Sequence, residues 1–305
     1  MIILKRFYFF SFFCLFLVMG CESQKYIIKT AFLMGTIVEV TCEDSFVIDE
    51  VFSEMKRLDD LLSKFNPQSE IFRLNQKKRL VVSEETFEVI EKAIEFNSLT
   101  DGAFDITIGE LIDLWKQAID KKALPDEKSI RIALVKSGTD KIRLNKDKRE
   151  VILLNGVTID LGGIAKGFIV DKAIKLVKTR GVDSCMINAG GDIYCLGKRN
   201  KRDWRVGVLD PRNDAHILKR INLEDNTVAT SGDYQQFFEI EGKRYSHIID
   251  PRSGYPVDNH VISVTVLADD ATTADALSTA VFVLGKEKGA KIFEVLGVSG
   301  FIIEE

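Results

Sequence analysis

The chain has 305 residues, with 42 Lys and Arg against 46 Asp and Glu and a formal charge of -4. Without a basic block it is not built to hold nucleic acid, and its three histidines are too few for a zinc centre of several His and Cys ligands. Magnesium, which prefers oxygen ligands, needs none of them.

The first stretch, "MIILKRFYFFSFFCLFLVMGC", is a targeting segment. Lys5 and Arg6 precede an apolar run from Phe7 to Met19, too short for a comfortable span, and the run ends at Gly20-Cys21. "LVMGC" resembles a bacterial lipobox, so residues 1–21 are expected to be a lipoprotein signal peptide, with Cys21 lipidated as the mature N-terminus. An uncleaved N-terminal anchor is the alternative. Either places the body outside the cytoplasm, and lipid on Cys21 would anchor it without a spanning helix. The remaining residues, 22–305, are enough for one large domain or two small ones. No repeat or long linker divides them, so one domain is expected. Cys14 and Cys21 belong to the leader. Cys42, Cys185 and Cys195 remain, an odd number without C-x-x-C spacing; this gives no disulfide framework but leaves a Cys185–Cys195 bridge open.

In the body, "AFLMGTIVEVTC" reads as a first strand. A helix follows with Ile48, Val51, Phe52, Met55, Leu58 and Leu62 on one face. Asn66-Pro67 in "SKFNPQSEIFRLN" breaks it as a turn. The second helix is expected from Ser83, a natural N-cap, with Phe87, Ile90 and Ile94 inward. "TDGAFDITIGELIDLW" leads to another helix, and 116–150 read as a charged surface excursion. "VILLNGVTIDL" is a strand feeding a Gly-rich turn and a helix that ends at Arg180-Gly181. "SCMINAGGDIYCLG", "WRVGVLDP" and "VISVTVLA" are further strands, and "ADDATTADALSTAVFVLG" is a late helix closed by Gly285. Neighbouring strands outnumber strict strand–helix alternation, so the expected class is α+β, not a doubly wound sheet.

Three stretches could carry chemistry. In "IDLGGIAKGFIVDKA", Asp160, Gly162-Gly163 and a helix start offer backbone N–H groups and a dipole to an anion, with Lys166 in the first turn. It fits neither common nucleotide fingerprint, and a tight strand–helix turn is the other reading. Asp275 and Thr279 lie one turn apart, so a carboxylate and a hydroxyl share a helix face as magnesium would need; an Ala-rich helix packed on a sheet would look the same. In "YSHIIDPRSGYPV", His247 leaves a strand beside a rigid turn, where it could serve as a base or simply be hydrogen-bonded. "NAGGD" adds a Gly-Gly turn, either an ordinary hairpin or a close approach to a ligand.

Taken in order, "MGT", "LSKFNPQSEI", "GAFDITIG", "IDLGGIAKGFIVD", "NAGGD", "HIIDPRSG" and "ADALSTA" resemble the ApbE family of FAD:protein FMN transferases over residues 30 to 300. The resemblance implies a single large α+β domain of mixed sheets with packed helices, related to the T-fold. It also implies an enzyme that binds FAD with Mg2+, cleaves the pyrophosphate and releases AMP. The FMN would pass to a Ser or Thr hydroxyl of an acceptor flavoprotein, giving a phosphoester-linked flavin. By motif, Met34, Ala103, Phe104, Asp105, Asp160, Lys166 and Ile249 would contact FAD. Phe65 would stack on a ring where many relatives carry tyrosine in "L-S-x-Y". The metal would be held by Asp275, Thr279 and the carbonyl of Gly163, with the loop's glycines also allowing close approach to FAD. His247 would deprotonate the acceptor hydroxyl, and Asp275 would be indispensable to catalysis through the metal. The lipid anchor would hold the enzyme at the periplasmic face of the inner membrane near its acceptors. The alternatives are an FAD pyrophosphatase giving FMN and AMP, and a non-catalytic flavin-binding lipoprotein.

Overall fold

The structure is a computed structural model; it describes residues 25–233, 237–240 and 242–305, and the leader with Cys21 lies outside them. The expected first strand is a hairpin, β1 (Ile27–Leu33) and β2 (Thr36–Cys42). Met34 and Gly35 both take positive φ, 54° and 71°, the two-residue turn that suits the twist of paired strands. Asp44 caps α1 (Ser45–Leu62), accepting the Phe46 N–H at 2.7 Å, and the helix buries Ile48, Val51, Met55, Leu58 and Leu62.

Beyond Asn66-Pro67 the chain does not run as a loop to Ser83. It forms α2 (Glu70–Lys77), capped by Ser69 and closed by a left-handed Lys78, then β3 (Arg79–Val81). Only Ile71 and Leu74 of α2 are buried, too few to show a helical period. The helix expected from Ser83 is therefore the third, α3 (Glu84–Leu99), and the Ser83 Oγ accepts the Thr86 N–H at 3.2 Å. Next come α4 (Gly109–Lys121), α5 (Glu127–Lys136), β4 (Ile142–Asn145) and β5 (Glu150–Leu153). This corrects the surface excursion. Ile130 and Ala133 bury α5 in a second apolar cluster with Leu111 and Trp115 of α4, and β4 and β5 join β3 in a small sheet. High surface charge hid one buried stripe.

After β5 ends, residues 154–164 form turns before α6 (Ala165–Thr179), which stops at Arg180 with Gly181 at φ 72°. The remainder is β6 (Cys185–Ala189), β7 (Asp192–Leu196), β8 (Trp204–Asp210), β9 (Asn213–Leu223), β10 (Asn226–Gly232), β11 (Phe237–Ile240), β12 (Lys243–Ser246), β13 (Val261–Ala268), α7 (Ala271–Leu284), α8 (Lys286–Leu296) and β14 (Ser299–Glu304).

The main sheet has seven strands in the order β1-β2-β6-β7-β10-β13-β14, and every neighbouring pair is antiparallel. That pattern excludes a doubly wound sheet and establishes the α+β class. Helices α1, α6 and α7 pack in a row on one face, enclosing the largest core cluster with Phe168, Val264 and Phe282. The other face is covered by the β8–β9 hairpin, where Trp204, Val206 and Leu223 meet Cys195 and Val228. α7 lies between β10, β13 and α6, so its small residues are buried all round.

Cys185 and Cys195 do not pair. Cys185 faces Leu196 across the β6–β7 ladder and Cys195 faces Met186, which puts the two thiols on opposite sides of the sheet. Both are free and buried, and the residue directly opposite Cys185 on β2 is Cys42. Among the described residues no helix is long and apolar enough to cross a membrane.

Candidate active site

The stretch "IDLGGIAKG" is fixed from several sides. Asn75 straps its incoming backbone: the side-chain amide donates to the Ile159 carbonyl and its oxygen accepts the Ile159 N–H, both at 2.8 Å. The Asp160 N–H donates to the Ile106 carbonyl at 2.7 Å, so "GAFDITIG" runs beside "TIDLGG". The Asp160 Oδ1 accepts the Gly162 N–H at 2.8 Å and closes the turn. Its Oδ2 pairs with Lys64 at 2.8 Å, and Lys64 also meets Asp113 at 2.9 Å. Burial works against the Lys64 ammonium, but Asp160 and Asp113 together outweigh it and raise its pKa. Lys64 lies within "LSKFNPQSEI" and Asn75 just beyond it, yet the sequence assigns neither a role.

Phe104 forms the floor under the glycine pair. It is buried edge-on to Phe96 with centroids 6.2 Å apart. A methyl group on Gly163 would lie 3.1 Å from the Phe104 ring and 3.5 Å from the Thr279 Oγ1. Ala103 is buried beside it. The Asp105 Oδ1 accepts the Thr107 N–H at 2.7 Å and its hydroxyl at 2.6 Å; burial nevertheless raises its pKa above the usual carboxylate value.

The third glycine of the loop has another task. A methyl on Gly167 would stand 2.1 Å from the Ala271 carbonyl oxygen and 2.8 Å from the Asp275 Cβ. Gly167 therefore lets α6 touch α7, a task distinct from that of the Gly162-Gly163 pair. Through that contact the Gly167 N–H donates to Asp275 Oδ2 at 2.9 Å. One helical turn further, Asp171 caps α7 from outside, accepting the Ala271 and Thr272 N–H groups at 2.7 and 2.9 Å.

Asp275 is only 3% exposed, and its Oδ1 lies 3.3 Å from the Lys166 Nζ. Lys166 also forms an ion pair with Asp192, the first residue of β7. Burial disfavours the Lys166 ammonium, yet Asp192 and then Asp275 hold its pKa above the ordinary lysine value. Burial pushes the Asp192 carboxyl up to about 7, against the pull of Lys166 and with the push of Asp275. Thr279 sits half-buried on the next turn, 3.4 Å from the Ser231 hydroxyl of β10, which also bonds Ser278 at 2.8 Å. Asp192, the last residue of "NAGGD", and Ser231 are further residues of the site to which the sequence assigns no role.

Magnesium fits this donor set. A buried carboxylate, a hydroxyl one turn on, and a glycine whose missing side chain would touch that hydroxyl supply hard oxygen atoms on adjoining surfaces. Among the described residues no group of three or more His, Cys, Asp or Glu could hold a metal. The candidate centre therefore rests on one carboxylate completed by neutral oxygens.

The other expected residues lie on different elements. Met34 is at the β1–β2 turn, its N–H donating to Asp59 at 2.9 Å. Phe65 is 66% exposed, with the Lys116 Nζ 4.1 Å and the Lys64 Nζ 5.3 Å from its ring centroid. His247 is exposed just after β12. The turn that follows it is rigid: the Trp115 indole donates to the Gly254 carbonyl at 2.8 Å, and the Ile249 side chain is buried in the second cluster. "NAGGD" is a hairpin turn, and a methyl on Gly190 would meet the Thr36 hydroxyl at 2.4 Å. Its glycine accommodates the neighbouring strand β2. Ion pairs join Lys166 to Asp192 and Asp275, and Phe104 and Thr279 bound the space beside Gly163, whereas Met34, Phe65 and His247 come from separate elements.

A seven-stranded antiparallel sheet that carries a buried, oxygen-rich acidic centre between two of its helices defines an α+β protein with a candidate anion- and cation-binding site. The chain belongs to the ApbE family, whose model matches residues 34–302. It is 34% identical to the FAD:protein FMN transferase of Klebsiella pneumoniae (strain 342), over 85% of this chain and 83% of that protein. It is 33% identical to the protein of that name from Treponema pallidum (strain Nichols), over 90% and 83%. Among solved structures, the ApbE protein of Thermotoga maritima superposes with a TM-score of 0.85 at 36% identity, over 92% of this chain and 94% of that one. The flavin transferase ApbE of Vibrio cholerae superposes with a TM-score of 0.81 at 30% identity, over the same shares.

Proposed function

We propose that this protein is a magnesium-dependent FAD:protein FMN transferase, moving FMN from FAD to a Ser or Thr hydroxyl of an acceptor flavoprotein and releasing AMP. The observation that carries the reading is the Asp275 carboxylate, buried, oriented by the Gly167 N–H and one helical turn from Thr279, whose hydroxyl bounds the space beside Gly163. A buried carboxylate oriented this way suits a cation. The relatives named for this activity match over most of the chain.

In this reading Asp275, Thr279 and the Gly163 carbonyl hold Mg2+, which when bound offsets the charge growing on the pyrophosphate as AMP leaves. The chain's own residues supply the rest. Asp160 and Lys166 flank the glycine turn and position FAD, with Met34, Ala103, Phe104, Asp105 and Ile249 along its length. Phe65 offers an exposed ring face for stacking. His247 takes the proton from the acceptor hydroxyl, which is a poor nucleophile until then. Its exposure suits a base that must meet a second protein, whereas Asp275 is sealed against water. A lipid on Cys21 would keep the enzyme at the outer face of the bacterial inner membrane, near membrane-bound acceptors.

The test is to incubate the purified protein with FAD, Mg2+ and a flavoprotein fragment bearing an acceptor threonine, then look for flavin fluorescence on a denaturing gel. Covalent label with one AMP per flavin transferred is expected. AMP and free FMN without label would make it a pyrophosphatase. Retained FAD with neither product would make it a binding protein.

A further inference from the structure

Lys166 stands between two buried carboxylates at unequal distances. Asp192 is the closer partner, while the Asp275 Oδ1 is 3.3 Å away. Asp192 is 2% exposed and fixed in place by its backbone. It follows the Gly190–Gly191 turn, pairs in register with Ala189, and that turn is tied to β2 through the Gly190 N–H and the Ile37 carbonyl at 3.2 Å. Asp275 is likewise fixed, its Oδ2 engaged by the Gly167 N–H. The flexible member of the trio is the lysine, and the nearer carboxylate decides where its ammonium rests.

We propose that Asp192 is a positioning residue that draws the Lys166 ammonium toward itself and leaves its bond to the Asp275 Oδ1, at 3.3 Å, the weaker of the two, so that an entering cation can displace it. The inference rests on the reading of Asp275 as a magnesium ligand. Charge counting gives its sense. With both carboxylates ionised and Lys166 protonated, the trio carries a net charge of -1 at the place where a dication must enter. If Asp192 were neutral, the trio would carry none, and the freed ammonium would have Asp275 as its one remaining carboxylate partner within the trio. A cation would then compete with a tethered lysine for the same oxygen. Asp192 touches neither metal nor substrate in this scheme and acts only through Lys166. Outer partners that orient ligands in this way typically change metal affinity by about 10- to 100-fold.

The experiment is Mn2+ binding to the purified protein, followed by the electron paramagnetic resonance signal of the free ion, with circular dichroism to confirm folding of each variant. Asp192→Asn is expected to weaken Mn2+ binding by about 10- to 100-fold, and Asp192→Glu, which keeps the charge, to recover part of the loss. The decisive variant is Asp192→Asn with Lys166→Met. It removes the competing ammonium, restores a net charge of -1 and should bind Mn2+ within a few-fold of the natural protein. A double variant as weak as Asp192→Asn would overturn the proposal, because a merely structural aspartate is not rescued by deleting its partner. Unchanged binding in folded Asp192→Asn would overturn it as well. If instead Asp275→Ala binds Mn2+ normally, the metal reading itself fails, and that outcome is distinguishable because it does not involve Asp192.

Discussion

Replacing Gly167 by alanine tests whether the α6–α7 contact governs the site. In an ordinary helix interior this change gains about 1 kcal/mol, since glycine gives up more backbone freedom on folding. Here the new methyl would lie 2.1 Å from the Ala271 carbonyl oxygen, 2.6 Å from its carbon and 2.8 Å from the Asp275 Cβ. Two of these atoms are backbone and cannot rotate away, so the helices must part by about 1 Å to restore ordinary contact distances. Overpacking of this kind costs about 1–3 kcal/mol. Losing the Gly167 N–H bond to the Asp275 carboxylate at 2.9 Å adds about 1.5–3 kcal/mol. After the propensity gain the net loss is about 2–5 kcal/mol. In a domain of this size that lowers the melting temperature by roughly 4–20 °C. Thermal unfolding followed by circular dichroism measures it, and Mn2+ affinity should fall in parallel as Asp275 loses its orienting donor. A melting temperature equal to or above that of the natural protein would refute the close-contact account, because propensity alone predicts a rise.

Four other expectations follow from the same structure. Asp171→Asn should cost about 1–3 kcal/mol, since an amide cannot accept from the Ala271 and Thr272 N–H groups on both atoms; a melt unchanged from the natural protein would sink the capping role. Because burial raises the Asp105 pKa, its stabilising contribution is complete below the ordinary carboxylate value and is lost as pH rises through the raised one. Asp105→Asn should therefore gain stability relative to the natural protein between acid and neutral pH, and a pH-independent difference in melting temperature would contradict this. Phe65→Ala should leave stability within about 0.5 kcal/mol while raising KM for FAD several-fold, and an unchanged KM would remove Phe65 from the binding surface. Mild oxidation followed by peptide mapping should never yield a Cys185–Cys195 link; any intramolecular bond should be Cys42–Cys185, whose thiols face each other and whose hydrogen bond lowers the Cys42 pKa to about 7.

The sequence exposed those parts of the molecule whose signal is local. Ser83, Gly181 and Gly285 mark helix ends because caps act within a single turn. The one-turn spacing of Asp275 and Thr279 survives folding unchanged for the same reason. Short elements were hidden, since α2 buries two residues and α5 two, too few to repeat a period. Contacts made across the fold were hidden as well. Nothing near Gly167 in sequence announces that Ala271 will press on it. Asp192 resembles any strand-opening aspartate until α6 brings Lys166 against it. Asn75 and Lys64 act through Ile159 and Asp160, residues 84 and about 96 positions away, a separation no spacing rule covers.

The order of the main sheet has a consequence for how the molecule is made. Read across the sheet, β1, β2, β6, β7, β10, β13 and β14 follow one another as they do along the chain. Each strand can therefore dock on a ladder already laid down, and none must be threaded between two that have already joined. Until the next strand arrives the newest one is an open edge, the kind of surface that invites pairing with other chains. For a polypeptide emerging from its N-terminus, the hazard is confined to one moving edge. Helix α7, which carries Asp275 and Thr279, emerges after six of the seven strands and is laid onto a nearly finished surface. A chain cut short before residue 271 would own most of the sheet and none of the Asp275–Thr279 pair.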